Sequence, residues 1–307
     1  MISKKHSFQD RRRIKCIFLL VIVVFGCCQA SWPNRPNLEL SLVIPQKSQW
    51  EYIATLERVE PITVVVLTAG NRLGALRSIL RFYLNSANKE LVREVKLVSN
   101  SRHQFKLEPE IIQDKRFKVH WEKKNTLNNR YRHWDTIESS ATLLLDDDCL
   151  VRNVEKAIAV QSRYSERIVC FYARAHTYNE RNKTWKYVNP KHTHGRYSLC
   201  TGQATLLATH WLKDFNTDPQ AAGFRQFINK NIPTCEDIAL HMYVANKTNR
   251  GPILVHAEQK TLRGTESGMS SMGDWGSKRR ECLNKFISTF FNGRNPLVYS
   301  EFNTASF

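Results

Sequence analysis

The chain has 307 residues, of which 42% are apolar and 10% aromatic, and 46 Lys+Arg against 28 Asp+Glu give it a net charge of +18. The apolar share is enough for a buried core and excludes a disordered tail or a fibrous repeat. Only six of the cations fall in the first fifteen residues, so the body itself is basic; that selects polyanionic partners as a class, and with no nucleic-acid recognition motif in the chain, nucleic acid is set aside.

In chain order, Arg11-Arg12-Arg13-Ile14-Lys15 precedes an unbroken apolar run of 13 residues from Cys16 to Cys28, followed by Gln29-Ala30-Ser31. This is a secretory-pathway pattern, readable as a cleaved signal peptide or a short signal-anchor over 1–30, since the run falls below the roughly 20 residues of a spanning helix. Either form predicts an ER or Golgi lumenal chain, anchored to the membrane if the segment is retained. Residues 31–60, with Pro33, Pro36 and Pro45, read as a stem, and 61–307 as one domain. There, short β-branched runs predict strands at Ile62 to Thr68, Val92 to Val98, Phe117 to Trp121, Ala141 to Leu145 and Arg167 to Phe171. Leu73, Leu76, Ile79, Leu80, Tyr83 and Leu84 fall at helical spacing between the first two. The alternation predicts an α/β domain with a mostly parallel sheet flanked by helices and with ligands at the carboxyl ends of its strands. Further helices are expected near Leu206 to Phe215, opening at Cys235, and from Lys278 to Phe291, with Gly264 to Gly276 as a lid-like loop.

Outside the apolar run five cysteines remain, Cys149, Cys170, Cys200, Cys235 and Cys282, with no C-x-x-C spacing. A structural zinc site is therefore not expected, and one or two disulfides with a free thiol are. Asn182-Lys-Thr and Asn246-Lys-Thr are N-glycosylation acceptor triplets. His192 and His194 lack a third ligand and read as surface residues.

Asp146-Asp147-Asp148 follows the apolar Leu143-Leu144-Leu145. Three adjacent carboxylates repel unless solvated or neutralised. They read either as a solvated turn capping the next helix or as ligands for Mg²⁺ or Mn²⁺, which prefer oxygen and bridge carboxylates to a substrate diphosphate. Upstream, Asn125 to Tyr131 combines amides suited to base edges or sugar hydroxyls with Arg130, a fork for phosphate oxygens; a capped turn is the alternative. Glu236 and Asp237 suit the first turn of a helix, where the dipole favours acids. Arg279 alone reads as readily as a solvated helix charge.

The block from Thr126-Leu-Asn-Asn-Arg-Tyr through Ala-Thr-Leu-Leu-Leu-Asp-Asp-Asp148 resembles the exostosin glycosyltransferase signature. The resemblance continues through Arg167-Ile-Val-Cys-Phe171, Cys235-Glu-Asp-Ile-Ala239 and Glu281-Cys-Leu-Asn-Lys-Phe286 to Pro296-Leu-Val-Tyr-Ser-Glu-Phe302. It implies a GT-A-type nucleotide-sugar-binding fold of the short, single-domain kind, without the second glycosyltransferase domain of the large exostosins. The activity it implies is retaining transfer of N-acetylhexosamine (GlcNAc or GalNAc) in α linkage from a UDP-sugar to a glycan acceptor. The alternatives are transfer of mannose from GDP-mannose to a glycosphingolipid, and a catalytically silent sugar-nucleotide-binding relative. By position it makes Asp148 the principal ligand of Mn²⁺, with Mg²⁺ as substitute, and puts Asp146 and Asp147 near the ribose and donor sugar. It gives Asn100, Asn125 and Arg130 to the nucleotide or donor, Arg279 to the diphosphate, and Asp237 to the anomeric carbon as catalytic carboxylate. It also implies a Cys235–Cys282 disulfide. Arg72 matches a nucleotide-contacting Arg, although Thr68-Ala-Gly-Asn-Arg72 departs from the family's shorter T-Y-N-R.

Overall fold

The structure is a computed structural model and describes residues 60–230, 234–262 and 273–301. The apolar run, the stem and most of the lid-like loop lie outside the described residues. Among the described residues no helix is long and apolar enough to cross a membrane.

Strands β1 (Ile62–Thr68), β2 (Val92–Ser99), β3 (Phe117–Trp121), β4 (Ala141–Asp146), β6 (Val169–Cys170), β10 (Ala204–Ala208) and β11 (Ile253–Leu254) form one seven-stranded sheet in the order β11-β6-β10-β4-β1-β2-β3. The order places β4 beside β1, so the carboxyl ends of β4, β1, β2 and β3 stand in a row, as parallel pairing requires. Only β10 runs against its neighbours. Two small sheets flank this one: β5 (Cys149–Arg152) with β12 (Glu258–Thr261), and β7 (Ala173–Asn179) between β8 (Thr184–Val188) and β9 (Leu199–Cys200).

The period of two along β1 builds both faces of the core. Ile62, Val64 and Val66 pack into one cluster, and Val65 and Leu67 into the other. The first is covered by α1 (Leu73–Leu84), whose Leu76, Ile79, Leu80 and Tyr83 are buried. The short α2 (Pro109–Ile112) follows, and α3 (Glu155–Arg163) adds Ala157 and Ile158. The second lies under α4 (Thr209–Thr217), α5 (Pro219–Lys230), α6 (Glu236–Thr248) and α7 (Trp275–Phe290). Every residue of α6 from Glu236 to Ala245 is buried, so this helix runs through the core and carries its two acids inside.

The parallel strands and α1 lie where hydrophobic periodicity places them. Two stretches differ. The helix expected at Leu206 to Phe215 is split: Ala204–Ala208 pairs with β4 and β6 as a fully buried strand, and the helix starts at Thr209. A short apolar run fits either element, and here the open edge of β4 decides. The expected strand at Arg167 to Phe171 pairs only over Val169–Cys170. The thiols resolve as Cys170–Cys200 and Cys235–Cys282 disulfides, with Cys149 free and buried.

Candidate active site

Asp146 is the last residue of β4, paired with Leu67 of β1, and Asp147-Asp148 make the turn into β5. Thr68, last residue of β1, donates its hydroxyl to Asp147 Oδ2 at 2.6 Å. Arg72, at the foot of α1, divides one guanidinium nitrogen between Asp147 Oδ1 at 3.0 Å and Asp148 Oδ2 at 2.9 Å. Between them Gly70 has φ +83°, and a Cβ there would stand 2.7 Å from Ser101 Oγ. That is why the Thr68–Arg72 loop uses glycine. Burial pushes the Asp147 carboxyl up to about 6, against the opposing pull of Thr68 and Arg72, and also raises Asp148.

The second group sits where α6 begins. Cys235 takes φ +76° and is bonded to Cys282 of α7, 6.3 Å away Cα to Cα. This crosslink sets Arg279, one helical turn before Cys282, against Asp237. Arg279 Nη2 lies 2.6 Å from Asp237 Oδ2, and both side chains are 4% exposed. Asp237 also accepts from the backbone N–H of Gly202 at 2.9 Å and of Ile238 at 2.7 Å. Burial alone would raise its pKa; the charge and hydrogen bond of Arg279 outweigh that and hold it below the usual carboxylate range. The Arg279 guanidinium lies over the rings of Tyr187 (4.6 Å to the centroid) and Trp275 (5.5 Å) and reaches the Tyr187 hydroxyl at 3.2 Å, a favourable placement for a cation.

Arg130 joins the two groups. It stands in the 3-10 turn Leu127–Tyr131, is buried, and donates to Asp146 Oδ1 at 2.7 Å and to the Gly202 carbonyl. Its Nε is 3.6 Å from Glu236 Oε1. A Cβ on Gly202 would meet both Arg130 Nη1 and Glu236 Oε1 at 2.9 Å, so any larger residue here would push the ends of both side chains aside. Arg130 Nε, Glu236 Oε2 and Arg279 Nε are buried without a hydrogen-bond partner. Such groups are costly to leave unpaired. Burial also pushes Glu236 upward.

The structure thus brings Arg72, Arg130, Asp146, Asp147, Asp148, Asp237 and Arg279 into one region. Asn100 lies beside it with both polar atoms engaged, Nδ2 on the Thr126 carbonyl and Oδ1 accepting from Asn129; Asn125 is exposed in the same loop. Asn182 is exposed in the turn between β7 and β8, Asn246 is exposed on α6, and His192 and His194 are exposed. Gly202 and Tyr187 were not singled out from sequence and sit in no motif, and Thr68 was named only as the start of the Thr68–Arg72 stretch; each enters through a tertiary contact.

Among the described residues no group of three or more His, Cys, Asp and Glu converges on a point that would hold a metal. The donor set nonetheless fits Mn²⁺ or Mg²⁺. It is all oxygen, and five carboxyl groups (Asp146, Asp147, Asp148, Glu236, Asp237) face three guanidiniums. Such ions take one or two protein carboxylates and fill the remaining positions with substrate phosphates and water.

A model of the glycosyl transferase family 64 domain matches residues 62–307. Glycosylinositol phosphorylceramide mannosyl transferase 1 of Arabidopsis thaliana is 30% identical over 185 residues, 58% of this chain and 54% of that protein. The exostosin-like-3 homolog of Caenorhabditis elegans is 34% identical over 186 residues, 59% of this chain and 22% of that protein. Exostosin-2 of Mus musculus is 28% identical over 282 residues, 88% of this chain and 36% of that protein. The chain thus spans about half the length of these relatives or less. Among solved structures, GalNAc-T7 with UDP, GalNAc and Mn²⁺ superposes with a TM-score of 0.52 at 12% identity, over 68% of this chain and 45% of that one. The fold is GT-A.

Proposed function

Because this chain belongs to glycosyltransferase family 64, the exostosin family, we propose that it is a metal-dependent retaining enzyme. The reaction would move N-acetylhexosamine in α linkage from a UDP-sugar to a glycan acceptor in the lumen of the secretory pathway. The observation that carries the reading is the arrangement of two unlike carboxylate groups on either side of Arg130, one at the sheet's carboxyl ends and one at the head of α6. Two disulfides suit an oxidising compartment.

In this reading Asp148, with Asp146 and Asp147 behind it, would hold Mn²⁺, which when bound would supply positive charge to the diphosphate leaving group. Arg72 and Arg130 contribute fixed positive charge beside the same phosphates. Asp237, kept ionised by Arg279 and by the Gly202 and Ile238 amides, faces the anomeric carbon and stabilises the positive charge that develops there. Arg279, whose Nε is buried without a hydrogen-bond partner, is the cation this reading gives to the departing diphosphate. Burial of Asp237 and Arg279 keeps water from competing with the acceptor. Asn182 and Asn246, both exposed, would carry N-linked glycans.

The test is nucleotide release by the full chain from UDP-GlcNAc, UDP-GalNAc and GDP-mannose, with Mn²⁺ and with chelator, followed by assignment of the product's anomeric configuration by NMR. Turnover of a UDP-N-acetylhexosamine with retention supports the proposal; an inverted product overturns the mechanism. Asp148→Ala should leave UDP affinity the same with and without Mn²⁺. A second reading, mannose from GDP-mannose to a sphingolipid, draws support from the Arabidopsis relative, which aligns over more than half of both chains. The same donor panel separates the two.

A further inference from the structure

Behind Asp237, a buried imidazole has both of its ring nitrogens engaged. His241 stands one turn after Asp237 on α6 and is 3% exposed. Its Nε2 lies 3.1 Å from the backbone nitrogen of Cys200, and its Nδ1 lies 2.8 Å from the carbonyl oxygen of Asp237. The chemistry of these partners fixes the tautomer. An amide N–H only donates, so Nε2 is the bare nitrogen; a carbonyl oxygen only accepts, so Nδ1 carries the proton. Burial, with the charge of Arg279, lowers the pKa of the ring against the opposing pull of Asp237 and so favours this neutral form. Cys200 is bonded to Cys170 of β6 and precedes Gly202 by two residues. The N–H groups of Ser198 and Thr201 on either side bond the carbonyls of Arg174 and Tyr172, whereas that of Cys200 goes to α6 through His241. Gly202 then gives its own N–H to Asp237 Oδ2 at 2.9 Å and its carbonyl to Arg130.

We propose that His241 is a positioning residue for the transfer step: through its bare Nε2 it fixes the Cys200–Gly202 segment against α6 and thereby sets the Gly202 amide on the Asp237 carboxylate. The proposal rests on the glycosyltransferase reading above and adds to it a residue that acts through Gly202 rather than on the donor. A side chain of similar volume without an acceptor would leave the Cys200 N–H unpaired in the interior, and the segment would shift to find it another partner. A misplacement of about 1 Å at a catalytic group can cost about 10²-fold in rate, and the Gly202 amide bonds Asp237 directly. Arg130 keeps its contact to Asp146 when Gly202 moves, so the diphosphate side of the site is spared. Glutamine is the matching replacement, because its amide oxygen can accept where Nε2 does.

The experiment compares wild type, His241→Gln and His241→Leu in the full chain with Mn²⁺, measuring kcat and donor KM for the sugar nucleotide that the wild type turns over, affinity for its nucleoside diphosphate by calorimetry, and stability in urea. His241→Leu should lose about 10- to 100-fold in kcat, with donor KM and diphosphate affinity unchanged, and His241→Gln should keep most of kcat whatever its stability. Equal kcat in the two variants overturns the proposal, since leucine fills the volume and only glutamine offers the acceptor; so does a loss of diphosphate affinity as large as the loss of kcat. Both results leave the glycosyltransferase reading standing. Nitrogen-15 NMR of the histidine-labelled wild type gives a readout independent of turnover and of whether either variant folds: the His241 ring should be protonated at Nδ1 and bare at Nε2 at neutral pH, and the reverse tautomer or an imidazolium overturns the proposal. A wild type that binds no nucleotide and transfers no sugar overturns the underlying reading and this proposal with it.

Discussion

Asp147 and Asp237 are both buried, both receive a guanidinium within 3.0 Å, and they end with opposite acidities. Asp147 rises to about 6 while Asp237 is held below the ordinary range. The difference lies in what else the guanidinium serves. Arg72 is divided between Asp147 and Asp148 with Asp146 close by, so one positive charge answers several negative ones. Arg279 answers Asp237, and two backbone N–H groups complete the shell. A carboxylate given a dedicated partner and amide donors remains an anion in the interior; one that shares its partner stays short of positive charge and has use for a cation from outside.

The variant expected to break this contrast most severely is Arg279→Met. Removing one member of a buried pair leaves Asp237 uncompensated and should cost about 3–5 kcal/mol in urea unfolding; Arg279→Met/Asp237→Asn should recover part of it. A single variant with wild-type stability would show the pair to be dispensable. Next, Asp237→Asn preserves shape and removes charge: kcat should fall by about 10²–10³, on the scale of other losses of charge stabilisation at a reacting centre, with UDP affinity little changed. Equal loss of binding and turnover would place Asp237 on the nucleotide instead.

Reading either cluster by acid titration requires subtracting the fold's own acid lability, and His176 supplies part of it. Burial, with Arg196 nearby, lowers His176 to about 4. Its neutral form bonds Ser198 Oγ at 2.7 Å and stacks on Tyr299. The unfolded chain binds the proton first, so stability is complete above about pH 6.5 and declines as pH falls toward 4, by roughly 3 kcal/mol. His176→Gln should flatten that decline in denaturant titrations across the window; an unchanged slope would refute the assignment. The smallest effect belongs to Thr68→Val, which removes a hydroxyl from Asp147 without touching Arg72. It should weaken Mn²⁺-dependent UDP binding by roughly 1.5 kcal/mol, a charge-assisted hydrogen bond at the lower end of its range, and should leave Asp237-dependent steps alone.

What could be read beforehand divides along physical lines. β1 to β4 and α1 carry their periodicity in contiguous residues, and Asp146 to Asp148 announce themselves because adjacent carboxylates at a strand end need an explanation. Ala204–Ala208 did not, because its strand character comes from β4 and β6 on either side, information absent from five apolar residues. Gly202 is the clearest miss in the site. One glycine in a loop gives no local signal, yet its amide binds Asp237 and its carbonyl binds Arg130. The Cys235–Cys282 pairing followed from family resemblance, since five thiols allow many pairings; the Asp237–Arg279 contact it enforces was legible only in three dimensions.

That crosslink also frees the sequence it spans. Asp237 and Arg279 are 42 residues apart, and their separation in space is set by a covalent bond two residues before one and three after the other. The chain between α6 and α7 is bound to its sheets through β11 and β12, but it does not have to keep the acid and the arginine in register. The task of holding the pair together falls to one covalent bond, so the geometry of the acid and its arginine does not depend on the length of chain that separates them.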